Sequence, residues 1–161
     1  MNAIVVVDKK WGIGKNNDLL FKLPEDMKYF RQKTLNKIVV MGSNTLKSFP
    51  LKNRTNAVLF PGGEKRDDCI VADSLEELRQ VLTSFPEDDI FIIGGAMMYK
   101  TMLPFCKRVY VTKVDADGQA SVFFPDLDRL GWTLSERVAK KRDGEYELEF
   151  VVYSNPSPQK F

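Results

Sequence analysis

Short runs rich in β-branched residues recur along the whole chain and alternate with helix-like segments, and this alternation constrains the fold most. The runs at residues 4–7 and 90–93 are continuously apolar, which is typical of strands buried on both faces. Strands that alternate with helices indicate an α/β fold with a mostly parallel sheet. The sequence predicts strands at 3–7, 37–41, 56–60, 69–72, 89–93, 108–114, 132–138 and 146–154, and helices at 24–35, 43–49, 75–85 and 96–103.

Only a short turn at residues 140–145 lies between the last two predicted strands, which is too short for a parallel crossover. We therefore predict that these two strands form an antiparallel hairpin. The expected architecture is a single domain over residues 1–161, with an eight-stranded, mostly parallel central sheet, a C-terminal antiparallel hairpin and about four flanking helices. A chain of this length supports one core. The tail at 155–161 contains two prolines and is expected to fray.

Composition excludes several kinds of site. The chain has no histidine, so Ser-His and Cys-His nucleophiles and most zinc sites are excluded, and no metal site is predicted. Acid–base chemistry must then use carboxylates, Lys, Tyr or water. A net charge of +2 does not indicate a nucleic-acid or membrane partner. No leader or membrane-spanning run is recognised, and the isolated Cys69 and Cys106 suit reduced thiols in a cytoplasmic protein.

One carboxylate falls in an apolar neighbourhood at the predicted start of a helix. Pro24 suits the first helical position, which places Asp26 in the first turn and Phe30 on the same face, four residues later. If that face is buried, the pKa of the Asp26 carboxyl rises, which suits proton chemistry. The alternative is that Glu25 and Asp26 only complement the helix dipole.

Two predicted strands run into glycine turns before a helix. One junction holds Gly94 and Gly95, and the other holds Gly42 followed by Ser43, Asn44 and Thr45. Glycine lets backbone N–H groups approach a ligand closely, and ligands collect at the carboxyl ends of parallel strands. Two such junctions favour a cofactor that contains a pyrophosphate. The polar segment at 13–18 is expected to be a mobile loop beside the acid-bearing helix.

Seven short motifs occur along the chain in a fixed order: Ile13-Gly14, Leu23-Pro24-Glu25-Asp26 with Phe30, Met41-Gly42 with Thr45, Leu51 with Arg54, Ile93-Gly94-Gly95 with Tyr99, Val111-Thr112, and Phe124-Pro125-Asp126. In their order and spacing the chain resembles the dihydrofolate reductase family, of the bacterial type, along nearly its whole length.

The resemblance implies an oxidoreductase of one-carbon metabolism that reduces 7,8-dihydrofolate to tetrahydrofolate by hydride transfer from NADPH. It also implies a cytoplasmic monomer that binds antifolate inhibitors. Asp26 would bind the pterin edge and promote protonation of N5, with Thr112 hydrogen-bonded to its carboxylate and Leu19 and Phe21 in the lid that covers the reaction. The implied substrate-binding residues are Ile4, Val6, Asp26, Met27, Phe30, Leu51, Arg54, Ile93, Tyr99 and Thr112.

The resemblance likewise implies that the two glycine junctions hold the cofactor, and that residues 17–21 form the lid which orders nicotinamide against pterin. The implied cofactor-binding residues are Val5, Val6, Ile13, Asn17, Asp18, Leu19, Gly42, Ser43, Asn44, Thr45, Leu59, Phe60, Pro61, Ile93, Gly94, Gly95, Ala96, Met97 and Met98.

The chain departs from the family pattern in its lid and in its adenosine site. Phe21 stands where tryptophan is usual, Leu20 where proline is usual, and Ala120-Ser121 where Gly-Asp is common. Ser43 stands where the family has an arginine for the 2′-phosphate, and Phe60 where it has serine or threonine.

Four alternatives remain open. Lys65 or Arg66 binds the 2′-phosphate in place of the missing arginine, or NADH is accepted as well as NADPH. Alternatively, the chain is a pterin- or nucleotide-binding module with weak or no turnover, or a related reductase of a pyrimidine intermediate.

Overall fold

The computed structural model describes residues 1–16, 18–45 and 50–161, and these form the predicted α/β fold. The α-helices are α1 (Pro24–Thr34), α2 (Leu75–Leu82) and α3 (Ala96–Met102). The strands are β1 (Asn2–Val7), β2 (Gly12–Lys15), β3 (Asp18–Leu19), β4 (Ile38–Gly42), β5 (Thr55–Leu59), β6 (Ile70–Ala72), β7 (Ile90–Gly94), β8 (Arg108–Val114), β9 (Val122–Phe123), β10 (Thr133–Asp143) and β11 (Tyr146–Ser154). The predicted helix at 43–49 falls largely on residues outside the described ranges.

The main sheet has eight strands in the order β10-β11-β8-β1-β7-β4-β5-β6. Neighbours from β8 to β6 are parallel, whereas β11 is antiparallel to both β8 and β10. The prediction of a mostly parallel sheet with a C-terminal antiparallel hairpin is therefore confirmed. In a parallel sheet the carboxyl ends of the strands meet at one edge, which brings the predicted glycine junctions together.

The core is divided between the two faces of this sheet. The larger cluster lies on the face covered by α2 and α3, and it includes Val111 of β8 and Met102 of α3. The opposite face carries two smaller clusters, one around Phe150 of β11 and one around Met41 of β4. The central strands β1 and β7 separate these two clusters in the strand order. The opposite face thus carries two separate small clusters instead of one continuous core.

The C-terminal hairpin is longer than predicted. We expected residues 140–145 to form the turn, but β10 continues to Asp143 and Gly144-Glu145 make a two-residue turn. Gly144 has a φ of +59°, the conformation that two-residue hairpin turns require. Ion pairs across the strands join Arg137 to Glu149 and Arg142 to Glu147, and such pairs stabilise the exposed edge strand β10 on the buried strand β11.

The prediction of a mobile loop at 13–18 is wrong for the described residues. β2 pairs with both β3 and β9 in a three-stranded antiparallel sheet. These strands have only two to four residues, and β2 contains two glycines, so they show none of the alternation by which strands are recognised.

The C-terminal tail is docked, which contradicts the expected fraying. Its backbone N–H groups at Asn155 and Gln159 donate to the carbonyls of Lys107 (2.9 Å) and Pro104 (2.9 Å). The ring of Phe161 packs against Phe105 with centroids 4.9 Å apart. Separately, no helix of the described residues is long and apolar enough to cross a membrane.

Candidate active site

Asp26 lies in the first turn of α1, as predicted, and faces Thr112 of β8. Pro24 occupies the start of the helix, and its missing N–H costs nothing there. Thr112 is buried and pairs with Val6 of β1. The acid therefore lies against β8, at the position where β8 pairs with β1.

Three influences act on the pKa of Asp26. Burial raises it most, because a charged carboxylate is disfavoured away from water. The hydrogen bond from the Thr112 hydroxyl lowers it, and the nearby Asp143 carboxylate raises it again. The net result is a pKa above the usual value, so this group holds its proton at higher pH than an exposed aspartate does.

Strands β1 and β7 separate beside Asp26. Within the described structure their ladder joins Asn2 to Phe91 and Ala3 to Ile92. Beyond that point the Ile4 carbonyl accepts a hydrogen bond of 2.7 Å from the buried Tyr99 hydroxyl. A carbonyl oxygen has two lone pairs, so Ile4 retains capacity for a second donor from a ligand.

The two glycine junctions adjoin, as expected from the parallel topology. Met41 of β4 pairs with Gly94 of β7. A Cβ added to Gly95 would lie 3.7 Å from Thr45 Oγ1, and one added to Gly42 would lie 3.1 Å from Met98 Cγ. Gly94 has a φ of +126°, a conformation that other residues rarely adopt. The turn thus presents unhindered backbone to a ligand, with hydroxyl and amide side chains beside it.

Arg54 is held at the other end of α1. Its guanidinium donates to Thr34 Oγ1 (3.1 Å), the Lys52 carbonyl (2.8 Å) and the Arg31 carbonyl (2.7 Å). Because a guanidinium has five N–H donors, two remain on its terminal nitrogens. Partial burial and the Arg31 charge lower the pKa of Arg54, and both influences favour a bound anion.

The apolar side chains predicted for the site differ in their exposure to solvent. Leu19 is 63% exposed and Met27 is 49% exposed, whereas Phe30 is partly buried. Leu51 and Ile93 pack against the cluster around Met41. An exposed apolar side chain next to a partly buried acid, as Met27 is next to Asp26, is typical of a ligand site.

The remaining predicted cofactor residues form two groups. Val5 and Met98 are buried, and Val6, Ile13, Leu59 and Ala96 are partly buried. Ser43 and Asn44 form a turn after β4, whereas Asp18, Phe60, Pro61 and Met97 are exposed. Asn17 lies outside the described residues.

The cations proposed as substitutes for a phosphate ligand have carboxylate partners. Lys65 Nζ lies 2.8 Å from Glu77 Oε1 and donates to the Val71 carbonyl at 2.6 Å. Arg66 pairs with Asp68 through two of its nitrogens. Neither cation is therefore positioned solely for a ligand.

Leu20 and Phe21, just before α1, are in contact with two distant parts of the chain, at Gly118 and at Tyr146. Phe21 meets Tyr146 of β11 edge to face, with ring centroids 5.1 Å apart. A Cβ added to Gly118 would lie 2.9 Å from Leu20 Cδ1 and 3.2 Å from Phe21 Cζ. The close approach explains why glycine occupies position 118. In the sequence, only the Asp-Gly pair at 117–118 indicated a turn here.

Asp8 is a second structural residue that sequence reasoning missed. It is buried, and its carboxylate accepts from the backbone N–H groups of Lys10 (2.8 Å), Gly12 (2.7 Å) and Gly118 (3.0 Å). These bonds join the end of β1 to the small sheet and to the segment over Leu20. In the sequence, the one feature that could have indicated this role is the position of Asp8, a carboxylate directly after the buried strand β1.

Comparison with known proteins gives one consistent result. The family profile described as dihydrofolate reductase matches residues 1–155. The chain is similar to the dihydrofolate reductase of Bacillus subtilis (strain 168), with 33% identity over 99% of this chain and 97% of the relative. It is 36% identical to the Buchnera aphidicola (subsp. Acyrthosiphon pisum) protein, over 96% and 98%. It is 37% identical to dihydrofolate reductase type 3 of Salmonella typhimurium, over 88% and 90%.

Proposed function

This chain belongs to the dihydrofolate reductase family, and on that premise we propose residue roles and a hydride donor for it. The enzyme reduces 7,8-dihydrofolate to 5,6,7,8-tetrahydrofolate. The observation that carries our proposal is the position of Asp26, a carboxyl group with a raised pKa that faces Thr112 of β8.

Asp26 binds the pterin edge and promotes protonation of N5. A carboxyl whose pKa is raised by burial keeps its proton at higher pH than an exposed aspartate does, and its oxygens can accept a ring N–H. The Thr112 hydroxyl orients that carboxyl from β8. The carbonyls of Ile4 and Ile93 accept from the pterin amino group, and Val6 and Tyr99 support this wall of the pocket.

The rest of the substrate lies along α1. Met27, Phe30 and Leu51 pack on its rings. The two unused N–H donors of Arg54 form a fork for the substrate's α-carboxylate, and a planar pair of donors suits a carboxylate better than an ammonium does.

The glycine junctions have the features that a dinucleotide requires. Backbone N–H groups at Gly94, Gly95 and Ala96 bind the pyrophosphate together with Asn44 and Thr45, because no Cβ obstructs the turn. NADPH, when bound, supplies the hydride. Leu19, Leu20 and Phe21 cover the cleft and exclude water from it. The other contacts are those of Val5, Val6, Ile13, Asn17, Asp18, Gly42, Ser43, Leu59, Phe60, Pro61, Ile93, Met97 and Met98.

We infer that NADPH is the donor and that NADH is also accepted. Ser43 and Phe60 offer no cation to a 2′-phosphate, and the carboxylates of Glu77 and Asp68 already pair with Lys65 and Arg66. A third carboxylate, Asp73, accepts from Gly62 N in the same turn. An anionic phosphate gains little in such surroundings, which favours weak discrimination between the two cofactors.

The test is turnover of dihydrofolate with NADPH and with NADH, followed by loss of reduced nicotinamide absorbance. We expect turnover with both, a kcat/KM ratio below about 100, and an Asp26→Asn variant with kcat reduced about 10²- to 10⁴-fold near neutral pH. A strong preference for NADPH that disappears in a Lys65→Ala, Arg66→Ala double variant would contradict the cofactor inference. Full activity of the folded Asp26→Asn variant would contradict the role of Asp26.

We also propose that the enzyme is a cytoplasmic monomer that binds antifolate inhibitors. The isolated thiols of Cys69 and Cys106 are consistent with a reducing compartment. Light scattering of the purified protein tests the oligomeric state. A folded protein that binds substrate without turnover would instead favour the binding-module alternative.

A further inference from the structure

The first turn of α1 receives its cap from a distant hairpin. Leu23 occupies the N-cap and provides no side-chain hydrogen bond, and Pro24 has no N–H. The N–H of Glu25 donates instead to Asp143 Oδ2 at 2.9 Å. Asp143 is the last residue of β10, 118 residues further along the chain. The turn that carries Asp26 is therefore held by a side chain outside its own helix.

We propose that Asp143 is a positioning residue for Asp26, because it caps the turn of α1 from which the active-site carboxyl projects. The proposal rests on the function proposed above for Asp26. Asp143 does not itself touch the reacting atoms in this account. It acts through the backbone N–H next to Asp26, in the way that a capping residue orients the first turn of a helix.

The hairpin tip that carries Asp143 is built to stay in place. Gly144 and Glu145 form its two-residue turn, and Arg142 pairs with Glu147 at 3.1 Å. Lys141 Nζ reaches Glu25 Oε2 at 3.2 Å, which adds a second, solvent-exposed contact to the same helix end. The tip thus meets α1 through two residues of β10.

The start of β11 adds an apolar contact to the same assembly. Tyr146 packs edge to face on Phe21. Phe21 and Leu23 belong to the apolar cluster that includes Leu148 and Phe150 of β11. The segment that enters α1 and the turn that carries the acid are therefore both docked on one hairpin.

The charge of Asp143 gives the contact a measurable signature. Its carboxylate raises the pKa of Asp26, after the larger effect of burial and against the opposite effect of Thr112. The other titratable groups coupled to Asp26 are the phenols of Tyr29 on α1 and Tyr99 on α3. Because phenols with raised pKa values stay neutral near pH 7, Asp143 is the charged group in this set.

Two substitutions separate the cap from the charge. Asp143→Asn keeps an oxygen that accepts from Glu25 N and removes the charge, whereas Asp143→Ala removes both. Glu145→Gln is the matched control, since it removes a carboxylate from the exposed turn of the same hairpin. Circular dichroism establishes that each variant is folded.

The first measurement is the titration of the Asp26 carboxyl by NMR in the ligand-free protein, assigned with Asp26→Asn. We expect Asp143→Asn and Asp143→Ala to lower the pKa by about half a unit, and Glu145→Gln to leave it unchanged. The second measurement is the pH dependence of kcat. The alkaline fall in rate should begin at correspondingly lower pH in both Asp143 variants.

The plateau rate distinguishes positioning from charge. We expect kcat of Asp143→Ala to fall about 3- to 10-fold, and that of Asp143→Asn to stay within about twofold of the parent. Parent-like titration and kcat in Asp143→Ala would overturn the proposal, as would equal losses of kcat in the two variants. An active Asp26→Asn protein would refute the proposed function instead, and the ligand-free titration would still report on the contact between Asp143 and α1.

Discussion

At the scale of single residues, the environment of Asp26 gives an ordinary carboxyl its chemical role. Burial raises its pKa, and the Thr112 hydroxyl limits that rise. The sequence indicated that an acid in the first turn of α1 shares a face with Phe30. It could not indicate Thr112 or Asp143 from spacing, because these residues follow Asp26 by more than eighty positions.

Replacement of Asp26 by asparagine should change the pH dependence of stability. The pKa of Asp26 is higher in the folded state than in the unfolded chain, so the folded protein binds the proton more tightly. Stability is therefore lost as pH rises from the unfolded pKa of about 4 through the folded value. The Asp26→Asn variant has no such loss, because its amide does not titrate. We expect the urea midpoint of this variant to exceed the parent's above the folded pKa and to approach it in acid.

The matched control for this measurement is Asp115→Asn, which alters an exposed acid. Its stability difference from the parent should not follow the titration of Asp26. A pH-independent difference for Asp26→Asn would show that the carboxyl titrates alike in folded and unfolded protein.

At the scale of elements, the helices differ in where their caps originate. α2 is capped locally: Ser74 accepts from Glu77 N at 3.1 Å, and Glu77 accepts from Asp73 N at 2.8 Å. A Ser followed three residues later by Glu is a common local cap of a helix. α1 is capped by remote residues, Asp143 at its start and Arg54 at its end. Local caps are visible as short motifs, whereas remote caps depend on the folded chain.

The small sheet should depend on Asp8. In Asp8→Ala three backbone N–H groups lose their acceptor, including the buried donor at Gly12. We expect a loss of roughly 2–4 kcal/mol in the free energy of unfolding, measured by urea denaturation. Hydrogen exchange should accelerate at Gly12 and Gly118.

Asp115→Ala serves as the control, because Asp115 is exposed and lies, like Gly118, in the connection between β8 and β9. A similar loss in both variants would mean that the carboxylate of Asp8 has no special part in holding the small sheet.

At the scale of the whole molecule, the strand order assembles the site. β1 and β7 are neighbours in space although residues 8–89 separate them in sequence. Their carboxyl ends bring Ile4 and Gly94 to one edge, beside the acid of α1. The docked tail closes the opposite side, where Lys107 N donates to the Met1 carbonyl at 2.9 Å.

Loss of the packing between the tail and the domain should lower the stability of the whole domain. Phe161→Ala removes the ring that packs on Phe105, and we expect a loss of about 1–3 kcal/mol in the free energy of unfolding. Lys160→Ala, which changes an exposed residue, should have little effect. Equal urea midpoints for Phe161→Ala and the parent would support the fraying that the sequence first suggested.

The sequence by itself determined the α/β class, the main strands, the start of α1 and the set of motifs typical of the family. These depend on periodicity, proline and glycine, whose effects act over a few residues. Only the tertiary structure decided that Asp143 caps α1, that Asp8 joins the small sheet to β1 and that the tail is docked. Such contacts join polar groups or single rings far apart in sequence, and short-range patterns carry no information about which distant partner a hydrogen-bonding group meets.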